Sequence, residues 1–262
     1  MRTGRCGDCI DGGCRNLTSG GDADLNMKLT LAFDGSAYHG WQIQKNAMTI
    51  QEVLKNTVTK ITGEVPNIIG CGRTDSGVHA LNYVCNFYTE TGIAPEQFKN
   101  AVNANLPEDI FCKKAERADE DFHASSSAVR KTYLYRILNR PDADVFQRKY
   151  AWHYKYPLEI EKMRCAAEAF LGEHDFIGFA SAGFTVKTTV RTIYALELTE
   201  DRDSISLEIT GNGFLYNMVR IITGTLVMMG GGKIDYRQAK EILDSCDSKR
   251  AGITAPAHGL FL

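Results

Sequence analysis

Apolar positions along the chain follow two different periods. Residues 27–33 alternate apolar and polar, which predicts a strand, and the pattern begins abruptly at Met27. Residues 49–61 carry Ile50, Val53, Leu54, Val58 and Ile61 on one helical face, with Thr49 as N-cap. Residues 68–71 and 83–88 read as strands around a glycine-rich loop. Residues 95–105 read as a helix that opens on proline, and 110–116 as a further strand. The second half has the same flavour. A strand over 131–138 sets Tyr133, Tyr135 and Ile137 on one face, and a helix covers 158–171. Strands over 186–198 and 204–210 are joined by the charged turn 200–203. A helix over 214–229 and a short amphipathic one over 235–245 follow. The pattern predicts two α+β halves, 27–125 and 126–262, with residues 1–26 as a disordered leader outside the fold.

Composition narrows the classes. The 262 residues carry a net charge of −2, and basic and acidic residues are nearly balanced in each half. That excludes a strongly basic, sequence-blind nucleic-acid coat, so an RNA site must be a local patch. The eight cysteines are too few for a disulfide scaffold in a chain of this length. Cys6, Cys9 and Cys14 have spacing that invites zinc, but a structural site needs four ligands and no fourth Cys or His lies nearby, so no metal is assigned. The most apolar stretch, 214–229, is too short to span a membrane and contains Arg220. The expectation is a soluble, cytoplasmic protein.

The chemically richest run is Gly70-Cys71-Gly72-Arg73-Thr74-Asp75-Ser76-Gly77-Val78-His79-Ala80. Its glycines allow positive φ and close backbone approach, so the loop reads either as a tight turn or as the rim of a cleft. It lacks the Gly-Lys-Ser/Thr ending of a phosphate loop. The helix over 214–229 bears on the choice. It is apolar on almost every face, hence buried, with Arg220 at its middle. Either that arginine snorkels to solvent or it needs a carboxylate, and Asp75 is the best partner. A guanidinium favours the ionised carboxylate, which can serve as a nucleophile. Two-carboxylate hydrolysis would need a second acid, and none stands near the loop.

At these residues the chain resembles the A-type tRNA pseudouridine synthases. The resemblance includes the run 33–42 (Phe-Asp-Gly-Ser-Ala-Tyr-His-Gly-Trp-Gln), the loop 72–80, and Asn105-Leu106-Pro107-Glu108-Asp109-Ile110. It continues through Phe122-His123-Ala124, the strand 131–137, Gly172-Glu173-His174-Asp175-Phe176 and Val190-Arg191-Thr192-Ile193. It ends with the run from Asn212-Gly213-Phe214 through Met218-Val219-Arg220 and the run 255–260. These landmarks stand in family order from Met27 onward.

The resemblance implies the pseudouridine synthase fold: two similar α/β-sandwich, RRM-like halves with a mostly antiparallel central sheet. It implies an isomerase that converts uridine to pseudouridine at positions 38, 39 and 40 of the tRNA anticodon stem-loop, without cofactor or metal, as a homodimer. By position, Asp75 matches the nucleophile and Tyr133 the tyrosine that packs on the target base. Arg73 matches the arginine that holds the nucleotide flipped out, and Arg220 the partner of the aspartate. Attack of Asp75 on the uracil ring, attack on C1′, and assistance to a glycal all need an ionised aspartate. Departures from the pattern are Tyr83 where Gln is common and Ser125 where Arg is usual; members often continue a few residues past Leu262.

Other residues carry simpler expectations. His79 fixes the loop rather than forming an acid/base dyad with Asp75, and Trp41 belongs to the core rather than stacking on RNA. Tyr133 and Tyr135 read from the strand alone as core, and Asp34 is a turn residue. Arg130, Lys131 and Arg136 contact phosphates or form a solvated face. The rival functions are a noncatalytic RNA-binding module of the same fold and a carboxylate hydrolase.

Overall fold

The computed structural model describes residues 25–183 and 186–262. Cys6, Cys9, Cys14 and the leader up to residue 24 lie outside the described residues.

The first half is a four-stranded antiparallel sheet. Its strands are β1 (Leu25–Phe33), β2 (Ile69–Gly70), β3 (Ala80–Thr89) and β4 (Ile110–Arg117), in the order β2-β3-β1-β4. Met27, Leu29, Leu31 and Phe33 alternate into a core shared with helices α1 (Ile50–Thr62) and α2 (Pro95–Asn103). Thr49 caps α1 by accepting the Glu52 N–H, and Gly63, at φ 78°, ends it. The first strand starts two residues before the expected Met27. The reason is a polar residue that the alternation hides. Asn26 is buried, donates to the carbonyls of Asp119 and Phe122, and accepts from the Asn86 amide. Asn86 in turn accepts the Ala124 N–H. These satisfied amides pin the segment 119–124, which leads to the second half, onto the first sheet.

The second half contains β5 (Lys131–Leu138), β6 (Trp152–His153), β7 (Gly172–Asp175), β8 (Val190–Asp201), β9 (Ser204–Gly211) and β10 (Leu260–Phe261). The order is β10-β5-β9-β8-β7, antiparallel throughout, while β6 joins β5 in parallel. The predicted strand at 186 begins instead at Val190, where its partner β7 ends at Asp175. Helices α3 (Ile160–Ala167), α4 (Met218–Gly230) and α5 (Ala239–Asp244) share the core with Tyr135, Ile137, Leu207 and Ile209. The helix α3 is shorter than expected and ends in a 3₁₀ turn at Glu168–Phe170. The helix predicted from 214 starts at Met218, because Asn217 is left-handed (φ 61°) and breaks the helical path. Arg220 therefore lies in the first turn of α4, not at its middle.

The C-terminal residues join the halves. β10 pairs with β5 on one side. On the other, His79 N–H donates to the Leu260 carbonyl (3.0 Å), Leu262 N–H to His79 (3.0 Å) and Leu81 N–H to Leu262 (2.7 Å). The two sheets thus run into one another at the start of β3, beside the glycine loop, as a mostly antiparallel central sheet. Among the described residues, no helix is long and apolar enough to cross a membrane.

Candidate active site

The loop between β2 and β3 rests on the segment 35–41. Gly40 has φ 79°, and a Cβ there would stand 2.2 Å from the Thr74 carbonyl oxygen. A side chain at Gly40 would therefore push the loop away. The close approach allows Trp41 N–H to donate to Thr74 O (3.3 Å) and Gly77 N–H to Tyr38 O (3.2 Å). From β3, the fully buried Tyr83 donates its hydroxyl to the Gly72 carbonyl, and its ring stacks on Trp41 with centroids 4.1 Å apart. The loop is thus held at Gly72, Thr74 and Gly77, on either side of Arg73 and Asp75.

Asp75 meets Arg220 across the seam between the halves. Arg220 Nη1 donates to Asp75 Oδ2 at 3.1 Å, and both side chains are mostly buried. The pairing inferred from burial is present. The guanidinium has two further acceptors: Nε donates to the Ala255 carbonyl (2.7 Å) and Nη1 to Asn217 Oδ1 (2.6 Å). Asp75 Oδ1 receives no hydrogen bond from the described residues. One carboxylate oxygen is anchored by a cation, and the other is left for a ligand.

That carboxylate lines a cleft of about 870 Å³ between the halves. Arg73, Asp75, Tyr133 and Arg220, all four residues singled out from the sequence, contribute to its walls. Asp75 is the one acidic residue among the described residues lining it, so the second acid of a carboxylate hydrolase is not there. Tyr133, on β5, lies edge-on to Phe214 at 5.2 Å. Burial, followed by the nearby Cys71 and the Asp75 charge, holds its phenol far above the ordinary tyrosine range, so the ring is neutral. Arg73 is exposed at the rim, and among the described residues no carboxylate pairs with it. The cleft therefore combines a held carboxylate, a neutral aromatic ring and an uncommitted cation.

The remaining residues mostly follow expectation. His79 is 1% exposed: Nδ1 takes the Gly35 N–H (3.0 Å) and lies 3.1 Å from Asp34 Oδ1, while Nε2 faces the Lys149 and His258 carbonyls. Neither ring nitrogen is free for a substrate. Asp34 caps the 3₁₀ turn Gly35–Ala37 through Ser36 N–H and accepts the Tyr150 hydroxyl. Trp41 and Tyr135 are core, the latter donating its hydroxyl to the Pro256 carbonyl. Arg136 lies over the Phe261 ring and Arg130 over Tyr194. Lys131 packs beside Gly72, and burial, reinforced by Arg191, lowers the affinity of its amine for a proton.

A family model described as tRNA pseudouridine synthase matches residues 30–125 and 166–262. The chain belongs to this family. A protein named tRNA pseudouridine synthase A from Thermoanaerobacter sp. (strain X514) is 49% identical over 237 residues, 90% of this chain and 97% of the relative. Proteins of the same name from Ruminiclostridium cellulolyticum (46% over 237 residues, 90% and 97%) and Bacillus subtilis strain 168 (45% over 241 residues, 91% and 97%) align as fully. The two matched blocks each contribute one partner of the Asp75–Arg220 pair.

Two features of the site were not read from the sequence. Asn217 and the Ala255 carbonyl, which hold the guanidinium in place, are masked in the pattern because 214–229 reads as one apolar helix. The signal was an asparagine, the non-glycine residue most tolerant of left-handed backbone, just ahead of Met218. The departure at Tyr83 has a structural consequence, since its hydroxyl reaches the loop. At the other departure, Ser125 is exposed and follows the Ala124 anchor.

Proposed function

We propose that this chain isomerises uridine to pseudouridine in tRNA, at positions 38, 39 and 40 of the anticodon stem-loop, with Asp75 as the nucleophile. The observation that carries this reading is the Asp75 carboxylate, held through one oxygen by Arg220 at 3.1 Å and open through the other to the cleft beside Tyr133. In the reaction the C1′–N1 bond breaks, the uracil turns and C1′–C5 forms. The proton on C5 leaves and N1 ends protonated, so the product is an isomer and no electrons are exchanged. The residues named need no metal or cofactor to do this.

Each side chain has a role in that sequence. The target base must leave the helical stack, at a cost of a few kcal/mol. Tyr133 offers a neutral ring on which the flipped base stacks, which offsets part of this cost. Arg73 holds the flipped-out nucleotide from the rim. Arg220 orients the Asp75 carboxylate through the Nη1–Oδ2 contact while charge rearranges at C1′.

We infer further that residues 27–125 and 126–262 act as two domains with the reaction between them. The enzyme works as a cytoplasmic homodimer in which one tRNA contacts both subunits. With a net charge of −2, it must concentrate its RNA contacts in the cleft, and binding weakens with salt with a shallow slope. The test is release of tritium from tRNA carrying [5-³H]uridine, measured beside tRNA binding. Release supports the isomerase. Binding without release assigns the chain to a noncatalytic RNA-binding module.

A further inference from the structure

Two hydrogen bonds extend the Asp75–Arg220 pair as far as Ser181. Arg220 Nη1 donates both to Asp75 Oδ2 (3.1 Å) and to Asn217 Oδ1 (2.6 Å), and Asn217 Nδ2 donates to Ser181 Oγ (2.8 Å). Guanidinium has only donors, so the amide must turn its oxygen to Arg220 and its nitrogen to Ser181. Ser181 is fixed in turn by its own N–H, which donates to the Tyr216 carbonyl (3.1 Å).

Asn217 is also one of four non-glycine residues with positive φ among the described residues, and it stands immediately ahead of α4. Its side chain does not cap that helix, although asparagine in this place usually accepts a backbone N–H. The amide is spent on Arg220 instead. A left-handed residue that forgoes its cap to hold a charged side chain is backbone strain gathered at a functional site.

From this geometry we propose that Asn217 is a positioning residue for the isomerisation, fixing the Arg220 guanidinium, and through it the Asp75 carboxylate, with Ser181 fixing the amide. Without the Asn217 oxygen the guanidinium keeps only Ala255 as a neutral anchor and can pivot about Nε. The carboxylate it holds then moves with it. Displacing a reacting group by about 1 Å costs on the order of a hundredfold in rate. Asn217 lines the cleft, but both ends of its amide are engaged by Arg220 and Ser181, so the loss is expected on kcat rather than KM.

This inference rests on Asp75 as the nucleophile, so the wild-type enzyme and Asp75→Asn are run alongside. Absence of turnover by the wild type would overturn the proposed function, not the positioning role. The informative variant is Asn217→Gly, which removes the amide while glycine accepts φ 61° without strain. Expected is a fall in kcat of at least about tenfold, with KM for tRNA and melting temperature near wild type. Asn217→Asp keeps an oxygen on Arg220, and expected is recovery of most of that loss. A wild-type kcat in Asn217→Gly overturns the proposal, as does an aspartate variant no better than glycine. Should Asn217→Gly fail to fold, Ser181→Ala tests the same anchor: a reduced kcat with unchanged KM supports it, and a wild-type kcat overturns it.

Discussion

The Tyr83 hydroxyl donates to the carbonyl of Gly72, three residues before Asp75. Tyr83 is fully buried against Trp41, and the contact ties β3 to the loop that carries Asp75. Burial, with Cys71 and Cys85 close by, holds its phenol far above the usual range, so it is a donor at neutral pH. Tyr83→Phe keeps the stacked ring and deletes only this donor. The expected result is a stability loss of about 1 kcal/mol with a several-fold fall in kcat, read by chemical denaturation and by tritium release. Retention of wild-type stability would show that the contact is idle.

Tyr133 tests the stacking role. Its ring forms a wall of the cleft. Tyr133→Phe preserves the ring and should keep activity close to wild type. Tyr133→Leu preserves bulk without a π face and should lose about 1–3 kcal/mol of interaction with the flipped base, or roughly 5- to 150-fold in kcat/KM. Single-turnover rates of the two variants check this. Equal loss in both would assign the role to the hydroxyl instead.

Arg220 spreads one guanidinium over Asp75, Asn217 and Ala255. Lysine keeps the charge but cannot serve three acceptors in those directions. Arg220→Lys is therefore expected to fold and to lose on the order of a hundredfold in kcat, by displacement of Asp75. Arg220→Ala should in addition lower the melting temperature, because the mostly buried Asp75 carboxylate is left without its cation. Melting curves of the pair separate charge from geometry: equal melting temperatures in Lys and Ala variants would contradict this account.

Much of this was legible in the sequence because it follows from periodicity and from charge burial. The alternation of residues 27–33 and the capped stripe from Thr49 are local signals, and both elements form there, β1 beginning two residues early. The Asp75–Arg220 pair spans 145 positions, yet it is legible because an arginine in an apolar helix must either reach solvent or take a carboxylate, and Asp75 is the best partner. Structure and pattern part where one residue overrides the periodicity. Asn26 extends β1 because its partners on Asp119, Phe122 and Asn86 are distant in sequence. Phe214 and Leu215 continue the apolar run of α4, but they leave the helix because Asn217 turns left-handed, and they wall the cleft instead. The junction of the two sheets through Leu260 and Leu262 is a pairing of backbone groups, for which side-chain pattern carries no signal.

The central claim is that Asp75 performs the chemistry, and Asp75→Asn tests it most directly. Asparagine preserves shape and a hydrogen-bonding oxygen for Arg220 but removes the negative charge a nucleophile needs. Tritium release from [5-³H]uridine tRNA should fall to background while the variant still binds tRNA and melts near the wild-type temperature. Release by Asp75→Asn at the wild-type rate would contradict the account.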